Sequence, residues 1–533
     1  MTLKEKIDIL VKYCGQHQSH GFMMDERNED ESFDVKMLEE TFIEDNIAHL
    51  KVILLTGEAG DGKSRILRKI KSLLDEYGFK HICNDFSAFS EEHKKELILI
   101  MKKILKGESN EKIVISANIG IFTQMILQTD IDLMAQLTSG REDVYICNFE
   151  KRNLASDETM FAAIMKQFLM YDSSINGCQE CMLRNDCAYK KNIDVLLTED
   201  GIDAMRTICN AIYLTGGHVT FREMLSLLAY SVTFGQNCDE RQQLYVKQQM
   251  EGKSNDRDKI MYYNIFQDNE DILLHKVASM DPAKKRGEKL SRTEKSEIKT
   301  KADYIRYRRK NFFSKKGEKY GLLNVDYLIE FYRVLNYVNK PPYNYDSAQD
   351  KNPDLQVLKE GIKKMGNRGK SDAGLVVTDT PLIFNNQIRT EFMLMQDMSM
   401  IWHRYDVKIG QKVENSEYLW NKFNLSYVAK HDDANGQERK KLISLLIDYK
   451  QFRYLMMCSK DYFVNRNELS VEEYAVNTFY RKILEETKQA YDAIVIRFSD
   501  EMTNVCDFSL MVHKKEDIFT GEYQTTIRIK RED

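Results

Sequence analysis

The sequence predicts an α/β fold with a parallel sheet in its N-terminal half, followed by a mainly helical α+β C-terminal region. Apolar strands alternate with helical patterns between residues 50 and 150. The first of these strands also leads into a glycine-rich loop and then a helix. The chain has 533 residues, of which 30% are charged and only 5 are prolines, and this suits several helix-rich globular domains.

The glycine-rich loop is the most specific pattern in the chain. Val52–Thr56 is apolar enough for a strand buried on both faces, and Gly-x-x-x-x-Gly-Lys-Ser follows it. A strand, a glycine loop and a helix in this order give the context that a Walker A motif requires. We therefore predict an AAA-like P-loop NTPase core that binds ATP through Gly57, Glu58, Ala59, Gly60, Asp61, Gly62, Lys63 and Ser64.

Phosphate chemistry explains these residue types. Glycines let the main chain approach a phosphate closely, and a helix N-terminus directs its N–H groups at the polyanion. Lys63 is predicted to reach the β- and γ-phosphates, and the Ser64 hydroxyl to bind Mg²⁺. The alternative is a glycine-rich turn without a ligand.

Polar residues follow two later strands of the predicted sheet. Asp85 comes after one strand and Asn118 after the next, and ligands of parallel sheets bind beyond the carboxyl ends of the strands. We expect Asp85 to act as the Walker B carboxylate that holds Mg²⁺ through water, and Asn118 to sense the γ-phosphate. The alternative is that both side chains cap the segments that follow them. The sequence shows one strand fewer than a five-stranded ATPase core.

Cysteines predict a metal-binding knuckle after this core. Cys178, Cys181 and Cys187 have the spacing Cys-x₂-Cys-x₅-Cys, which brings thiolates onto structural Zn²⁺. A [4Fe–4S] cluster uses the same spacing, and plain thiols are a third alternative. The fourth ligand stays open among Cys147, Cys209, Cys238 and His218.

Thr220-Phe-Arg222 begins a helical pattern of the kind that forms the small lid of AAA-type ATPases. Arg222, in its first turn, is a candidate to contact the γ-phosphate. A solvated arginine is the alternative.

Residues 284–319 carry 15 Lys/Arg against 5 Asp/Glu, although the whole chain has a net charge of −5. Interleaved aromatic residues could stack on bases, so we predict DNA binding through this segment, with Arg306, Arg308 and Arg309 on the phosphates. The alternative is a solvated helix with its aromatic residues in the core.

The predicted domains follow from these shifts in pattern. They are a helical segment at 1–49, the NTPase core at 50–175, the cysteine knuckle and lid at 176–250, the basic helical segment at 251–345 and an α+β domain at 346–533. Within the last domain, 438–457 and 471–491 have helical patterns. No apolar run is long enough for a membrane span, and we expect a cytoplasmic protein whose 10 cysteines are thiols or metal ligands.

These motifs together resemble the DptF family, the ATPase-like component of DNA phosphorothioation-dependent restriction. The resemblance rests on Gly-Glu-Ala-Gly-Asp-Gly-Lys-Ser, Asn-Asp-Phe-Ser-Ala at 84–88, Ser-Ala-Asn-Ile-Gly at 116–120, the three spaced cysteines, Thr-Phe-Arg at 220–222 and the basic run at 306–313. It implies an ATPase that works with DptG-like and DptH-like partners against DNA without phosphorothioate marks. The alternative function is a nucleotide-gated sensor or scaffold with little turnover, and either function is compatible with an oligomer.

Overall fold

The computed structural model divides the chain into two compact units, Met1–Val325 with Asp406–Leu419, and Asp326–Tyr405 with Trp420–Asp533. The structure describes residues 1–14, 35–130, 132–137, 139, 141–172, 178–179, 181–251, 261–267, 271–285, 298–314, 318–340, 344–346, 351–366, 375–378, 389–394, 400–404, 421–432, 438–460, 470–487, 494–499, 508–516 and 523–530. Among the helices so described, none has the length and apolar character needed to cross a bilayer.

A four-stranded parallel sheet organises the first unit, as the sequence predicted. The strands are β1 (Val52–Thr56), β2 (Phe79–Cys83), β3 (Lys112–Ala117) and β4 (Val144–Asn148). Their order is β2-β3-β1-β4, so β1 lies between β3 and β4. All four strands therefore end at one edge, where β1 passes into the glycine loop.

Helices cover both faces of this sheet. Alternate residues of β1 enter opposite cores: Val52 and Leu54 pack in one, and Ile53 and Leu55 in the other. Burial on both faces accounts for the continuous apolar run of this strand. The helices of this part are α1 (Leu3–Cys14), α2 (Leu38–Asn46), α3 (Lys63–Lys69), α4 (Lys71–Glu76), α5 (Glu91–Leu105), α6 (Ile119–Thr129) and α7 (Asp132–Leu137).

The rest of the first unit is helical in the residues described. Its helices are α8 (Glu158–Leu169), α9 (Ala188–Leu196), α10 (Glu199–Leu214), α11 (Phe221–Thr233), α12 (Cys238–Met250), α13 (Met261–Asn264), α14 (Ile272–Ser279), α15 (Lys301–Ser314) and α16 (Lys319–Leu322). The helix predicted after Thr220 is α11. A capping box begins it, because Thr220 Oγ1 accepts from Glu223 N and Glu223 Oε2 accepts from Thr220 N.

The second unit combines two antiparallel sheets with helices. Its helices are α17 (Leu328–Val338), α18 (Pro353–Gly366), α19 (Tyr449–Ser459) and α20 (Ser470–Thr487). One sheet contains β5 (Asn344–Asp346), β8 (Met400–Arg404), β9 (Phe423–Asp432) and β10 (Glu438–Ile447). The other contains β6 (Leu375–Thr378), β7 (Arg389–Leu394), β11 (Ile494–Ser499), β12 (Phe508–Glu516) and β13 (Tyr523–Lys530).

The helical prediction for residues 438–457 is wrong over its first ten residues, which form β10. Burial alternates along this strand: Ile443 and Leu445 are buried, whereas Leu442 is exposed. The period is therefore two, as in a strand with one solvated face. The apolar cluster 442–447 was assigned the wrong period, and only the α19 part of the predicted helix is present.

Candidate functional site

The glycine loop lies where β1, β3 and β4 end. Gly57 N donates to the Ala117 carbonyl at 3.3 Å, and this bond joins the loop to the end of β3. Thr56 Oγ1 donates to the Cys147 carbonyl of β4 at 3.3 Å. The loop is thus attached to both neighbouring strands at its first residues.

Lys63 begins α3 and turns back over the loop. Its Nζ donates to the Gly57 carbonyl at 3.0 Å and to the Glu58 carbonyl at 2.5 Å. No carboxylate of the described residues forms an ion pair with it. Burial lowers the pKa of this ammonium below the ordinary 10.5, and nearby carboxylates, Asp61 first and Asp85 second, partly offset that effect. The group is therefore a half-buried cation held by main-chain carbonyls.

Asp85 lies directly beyond β2, on the same edge as the loop. Its Oδ1 accepts from Ser87 N at 2.9 Å and caps a single 3₁₀ turn, Phe86–Ala88. Its negative charge reaches Lys63. The carboxylate therefore has a local capping bond as well as a place near the lysine.

Asn118 follows the end of β3, which lies between β1 and β2 in the sheet. Lys63 follows β1 in the chain, and Asp85 follows β2. Its Oδ1 accepts from Gly120 N at 3.0 Å and from Ile121 N at 3.4 Å, so it caps α6. The amide nitrogen of the side chain has no bond in this cap. Capping, the alternative reading of the sequence, occupies the Oδ1 atom of this side chain. It leaves the Nδ2 amide group to donate to another partner.

Arg222 lies against the glycine loop. Its main-chain N donates to the Gly60 carbonyl at 3.0 Å. Gly60 has φ +96°, and a Cβ added there would lie 2.9 Å from the Arg222 Cβ. The close approach of α11 thus requires glycine at this position. The sequence placed Arg222 in the lid, and the structure brings that turn onto the loop.

Asp61 fastens the loop from inside, a role that the sequence did not reveal. It is 1% exposed, and its Oδ2 accepts from Glu58 N at 2.7 Å. Its Oδ1 lies 2.8 Å from His218 Nε2, two residues before the α11 cap. Its own carbonyl accepts from Arg152 Nη2 at 2.7 Å. A loop aspartate and a distant histidine give no local signal, so sequence reasoning missed this connection.

Glu150 is a second acidic residue that sequence reasoning missed at this edge. It follows β4, and its main-chain N donates to Asn148 Oδ1 at 3.1 Å. Burial, followed by the charges of Glu58 and Asp61, raises the pKa of its carboxyl group. A Glu two residues beyond a strand is a common loop residue, so nothing in the sequence marks it.

The remaining loop residues have the exposure that a ligand-binding loop needs. Glu58 and Ala59 are exposed, and Gly62 and Ser64 are half-buried at the start of α3. Gly62 is left-handed at φ +88° and ends the loop. Ser64 and Asp85 are the residues that would hold Mg²⁺, since both offer oxygen ligands at one edge of the sheet.

The three knuckle cysteines are half-buried and carry no disulfide. Cys181 N donates to the Cys178 carbonyl at 3.2 Å, and Cys187 precedes α9. In the part of the chain that the structure describes, no three His, Cys, Asp or Glu side chains are placed closely enough to hold a metal ion.

The basic segment is only partly described, since 286–297 and 315–317 lie outside the described residues. Within α15, two of the predicted phosphate-binding residues are buried. Arg309 Nε and Nη2 donate to Asp281 at 3.1 and 2.7 Å, and Arg308 Nε donates to the Pro282 carbonyl at 3.4 Å. Phe312 and Phe313 lie in the core. The expectation that Arg308 and Arg309 face DNA is therefore wrong, because these guanidinium groups are used inside the fold.

Comparisons of this chain with protein-family models, with curated proteins and with solved structures find no match.

Proposed function

We propose that the first unit binds ATP with Mg²⁺ at the glycine loop and hydrolyses it as an AAA-like P-loop ATPase. The supporting observation is convergence at one sheet edge. Lys63, Asp85 and Asn118 follow three neighbouring strands, and Arg222 bonds to the loop. The chain thereby offers a cation for the phosphates, a carboxylate for the metal, and an amide donor and an arginine for the γ-phosphate.

The roles follow from the groups available. Lys63 would exchange two carbonyl oxygens for phosphate oxygens, which are stronger acceptors because they are charged. Mg²⁺, when bound, neutralises phosphate charge, with Ser64 and Asp85 supplying the protein oxygens. Asn118 would orient the attacking water through its free amide donor, and Arg222 would stabilise charge on the transferred phosphoryl group.

The resemblance to DptF supplies the proposed setting. In that setting the chain provides the ATPase of a bacterial DNA restriction complex that acts on DNA lacking phosphorothioate marks, together with DptG-like and DptH-like proteins. Co-purification from the native host tests this setting, and recovery of the chain without either partner would contradict it.

Titration calorimetry with ATP and Mg²⁺ tests the site directly. Lys63→Ala removes charge-assisted bonds of about 1.5–3 kcal/mol, so we expect affinity to fall at least about tenfold. Lys71→Ala removes an exposed lysine eight residues further along and serves as the control. Equal affinity of Lys63→Ala and wild type would refute the site.

A nucleotide-gated sensor or scaffold is the second candidate. The capping bond of Asp85 to Ser87 favours it, because a carboxylate committed to its own turn is less available for the metal. No Glu follows Asp85 to act as base. Single-turnover measurements with and without DNA separate the two candidates: Asn118→Ala and Asp85→Ala slow hydrolysis in an ATPase, whereas a gate binds ATP and releases it intact.

A further inference from the structure

We propose that Arg152 is a positioning residue of the glycine loop. It holds the Asp61 carbonyl towards the interior and thereby turns the next N–H group, that of Gly62, outward to a phosphate. The effect on nucleotide binding rests on the function proposed above, whereas the hold on the loop does not. Arg152 is buried, so it acts through the loop and need not touch the ligand.

The first step is the bond between Arg152 and the loop. Arg152 Nη2 donates to the Asp61 carbonyl at 2.7 Å. A peptide group is planar and trans, so its C=O and its N–H point in opposite directions. A guanidinium that holds the Asp61 carbonyl inward therefore directs the Gly62 N–H outward. In the part of the chain that the structure describes, Gly62 N donates to no other group, so this N–H is available to an anion.

Glu39 of α2 neutralises the charge of Arg152. Arg152 Nη1 donates to Glu39 Oε2 at 3.4 Å, and both side chains are 5% exposed. The planar fork of arginine serves two acceptors in fixed directions, which the point charge of a lysine does not. Because its charge is paired inside the fold, Arg152 contributes the orientation of the loop rather than a cation for the phosphates.

Phe149 gives the same segment a second contact with the loop. The Arg152 Cζ lies 4.4 Å from the centre of the Phe149 ring. A Cβ added at Gly57 would lie 2.9 Å from the Phe149 Cβ. Residues 149–152 therefore meet the loop at its first glycine and again at Asp61, so the loop is fitted to this segment at both places.

The main chain around Arg152 is itself anchored. Arg152 N donates to the Phe149 carbonyl at 3.0 Å. Asn153 Nδ2 donates to Asn210 Oδ1 of α10 at 2.6 Å, and Asn153 Oδ1 accepts from Ala155 N at 3.1 Å. The guanidinium is thus placed before any ligand arrives, and a group fixed in advance costs no reorganisation on binding.

Arg65 of α3 offers a matched control. It donates through Nη1 to Glu40 Oε1 at 2.8 Å and through Nη2 to the Val35 carbonyl at 2.6 Å. Glu39 and Glu40 are neighbours in α2, and both are buried. Each arginine therefore serves a buried glutamate of α2, and Arg152 in addition bonds a carbonyl of the glycine loop.

Hydrogen exchange of the nucleotide-free full chain tests the hold on the loop. In Arg152→Met, the amides of residues 57–62 should exchange at least about tenfold faster than in wild type, because the loop has lost a bond that closes it. Arg65→Met should leave their exchange within about twofold of wild type. Equal exchange of this peptide in Arg152→Met and wild type would overturn the proposal.

Calorimetry with ATP and Mg²⁺ tests the consequence for binding. We expect the affinity of Arg152→Met to fall about tenfold, because the Gly62 N–H no longer has a fixed direction towards a charged oxygen. Arg65→Met should bind ATP as wild type does.

The double variant Glu39→Met/Arg152→Met separates positioning from general stability. It removes both charges of the buried pair, so its urea midpoint should recover from the loss seen in Arg152→Met. Its ATP affinity should stay about tenfold below wild type, because the Asp61 carbonyl still lacks its donor. Recovery of affinity together with stability would assign Arg152 to the fold alone and overturn the proposal.

The measurements also distinguish failure here from failure of the proposed function. If wild type does not bind ATP, the nucleotide site is refuted, and loop exchange alone decides the role of Arg152. If wild type binds ATP and the double variant binds it equally, the positioning role is refuted and the nucleotide site stands. The double variant supplies this result even if Arg152→Met does not fold, since it leaves no unpaired charge at Glu39.

Discussion

Two cations of the first unit, the half-buried Lys63 and the buried Arg309, are held in different ways. Arg309 donates to both carboxylate oxygens of Asp281, at 3.1 and 2.7 Å, and Asp281 is 2% exposed. Lys63 donates to two carbonyl oxygens of the glycine loop that precedes it, and it forms no ion pair with a carboxylate among the described residues. A cation already neutralised by a buried carboxylate supports the fold, whereas one held only by exchangeable carbonyls is ready for an anionic ligand.

The largest expected effect is a loss of stability when Arg309 is removed. Arg309→Ala leaves Asp281 buried and unpaired, so we expect a loss of about 3–5 kcal/mol in the free energy of unfolding, measured by urea denaturation. Lys310→Ala, at the exposed neighbouring position, should change it by less than about 0.5 kcal/mol. Equal stability of the two variants would remove the distinction.

The close contact of the glycine loop with the start of α11 gives the next effect. Gly60→Ala should destabilise by about 1–2 kcal/mol through its positive φ and by about 1–3 kcal/mol more through the clash with Arg222. Gly107→Ala is the matched control, because Gly107 has φ +75° and no atom within 4 Å of an added Cβ. If both variants lose equal stability, the contact of α11 with the loop is wrong.

Lys63 should behave in the opposite way to Arg309. Lys63→Ala removes a half-buried charge that forms no ion pair with a carboxylate among the described residues. The free energy of unfolding should therefore change by less than about 1 kcal/mol, while ATP affinity falls at least about tenfold. Urea denaturation and calorimetry on the same preparation check both halves. A loss as large as that of Arg309→Ala would make Lys63 structural as well.

The lowered pKa of Lys63 predicts a pH dependence with a defined sign. Burial disfavours the charged form in the folded protein, so the contribution of this group to stability rises with pH between its lowered pKa and 10.5. ATP needs the charged ammonium, so affinity should fall as pH rises through the lowered value. Lys63→Arg, which stays charged, should bind without this alkaline decline. A decline shared by both proteins would assign it to another group.

The smallest effect concerns DNA. Since Arg308 and Arg309 are turned inward, the expected phosphate contacts are exposed lysines of the described segment, among them Lys299, Lys301 and Lys310. Reversing these three to Glu should weaken DNA binding equally for all sequences, and lower the salt slope by about 0.9 per lost contact. A triple reversal of exposed lysines outside the segment, at Lys95, Lys103 and Lys106, supplies the control. Equal losses in both variants would indicate net charge alone.

Local sequence patterns predicted those features of the fold that depend on residues close together in the chain. The strand and helix around the glycine loop, and the positions of Asp85 and Asn118 at strand ends, follow from alternation and apolar runs. The contact of Asp61 with His218 joins residues 157 apart, so nothing local encodes it. Charge patterns also cannot tell an inward Arg309 from an outward Lys310. The short apolar cluster at 442–447 is compatible with both the helical and the strand period. Pairing with β9, which is distant from local sequence signals, makes it a strand.

Asp61 has one further consequence, which concerns the mechanics of the loop. Its carboxylate bonds Glu58 N and His218 Nε2 together, and the Glu58 carbonyl is one of the two that hold Lys63. In the proposed function, a phosphate that draws Lys63 Nζ away would free the Glu58 carbonyl. Glu58 N would still bond the Asp61 carboxylate, which contacts His218 two residues before the cap of α11. Asp61 would in that case couple nucleotide binding at the loop to the position of the start of α11.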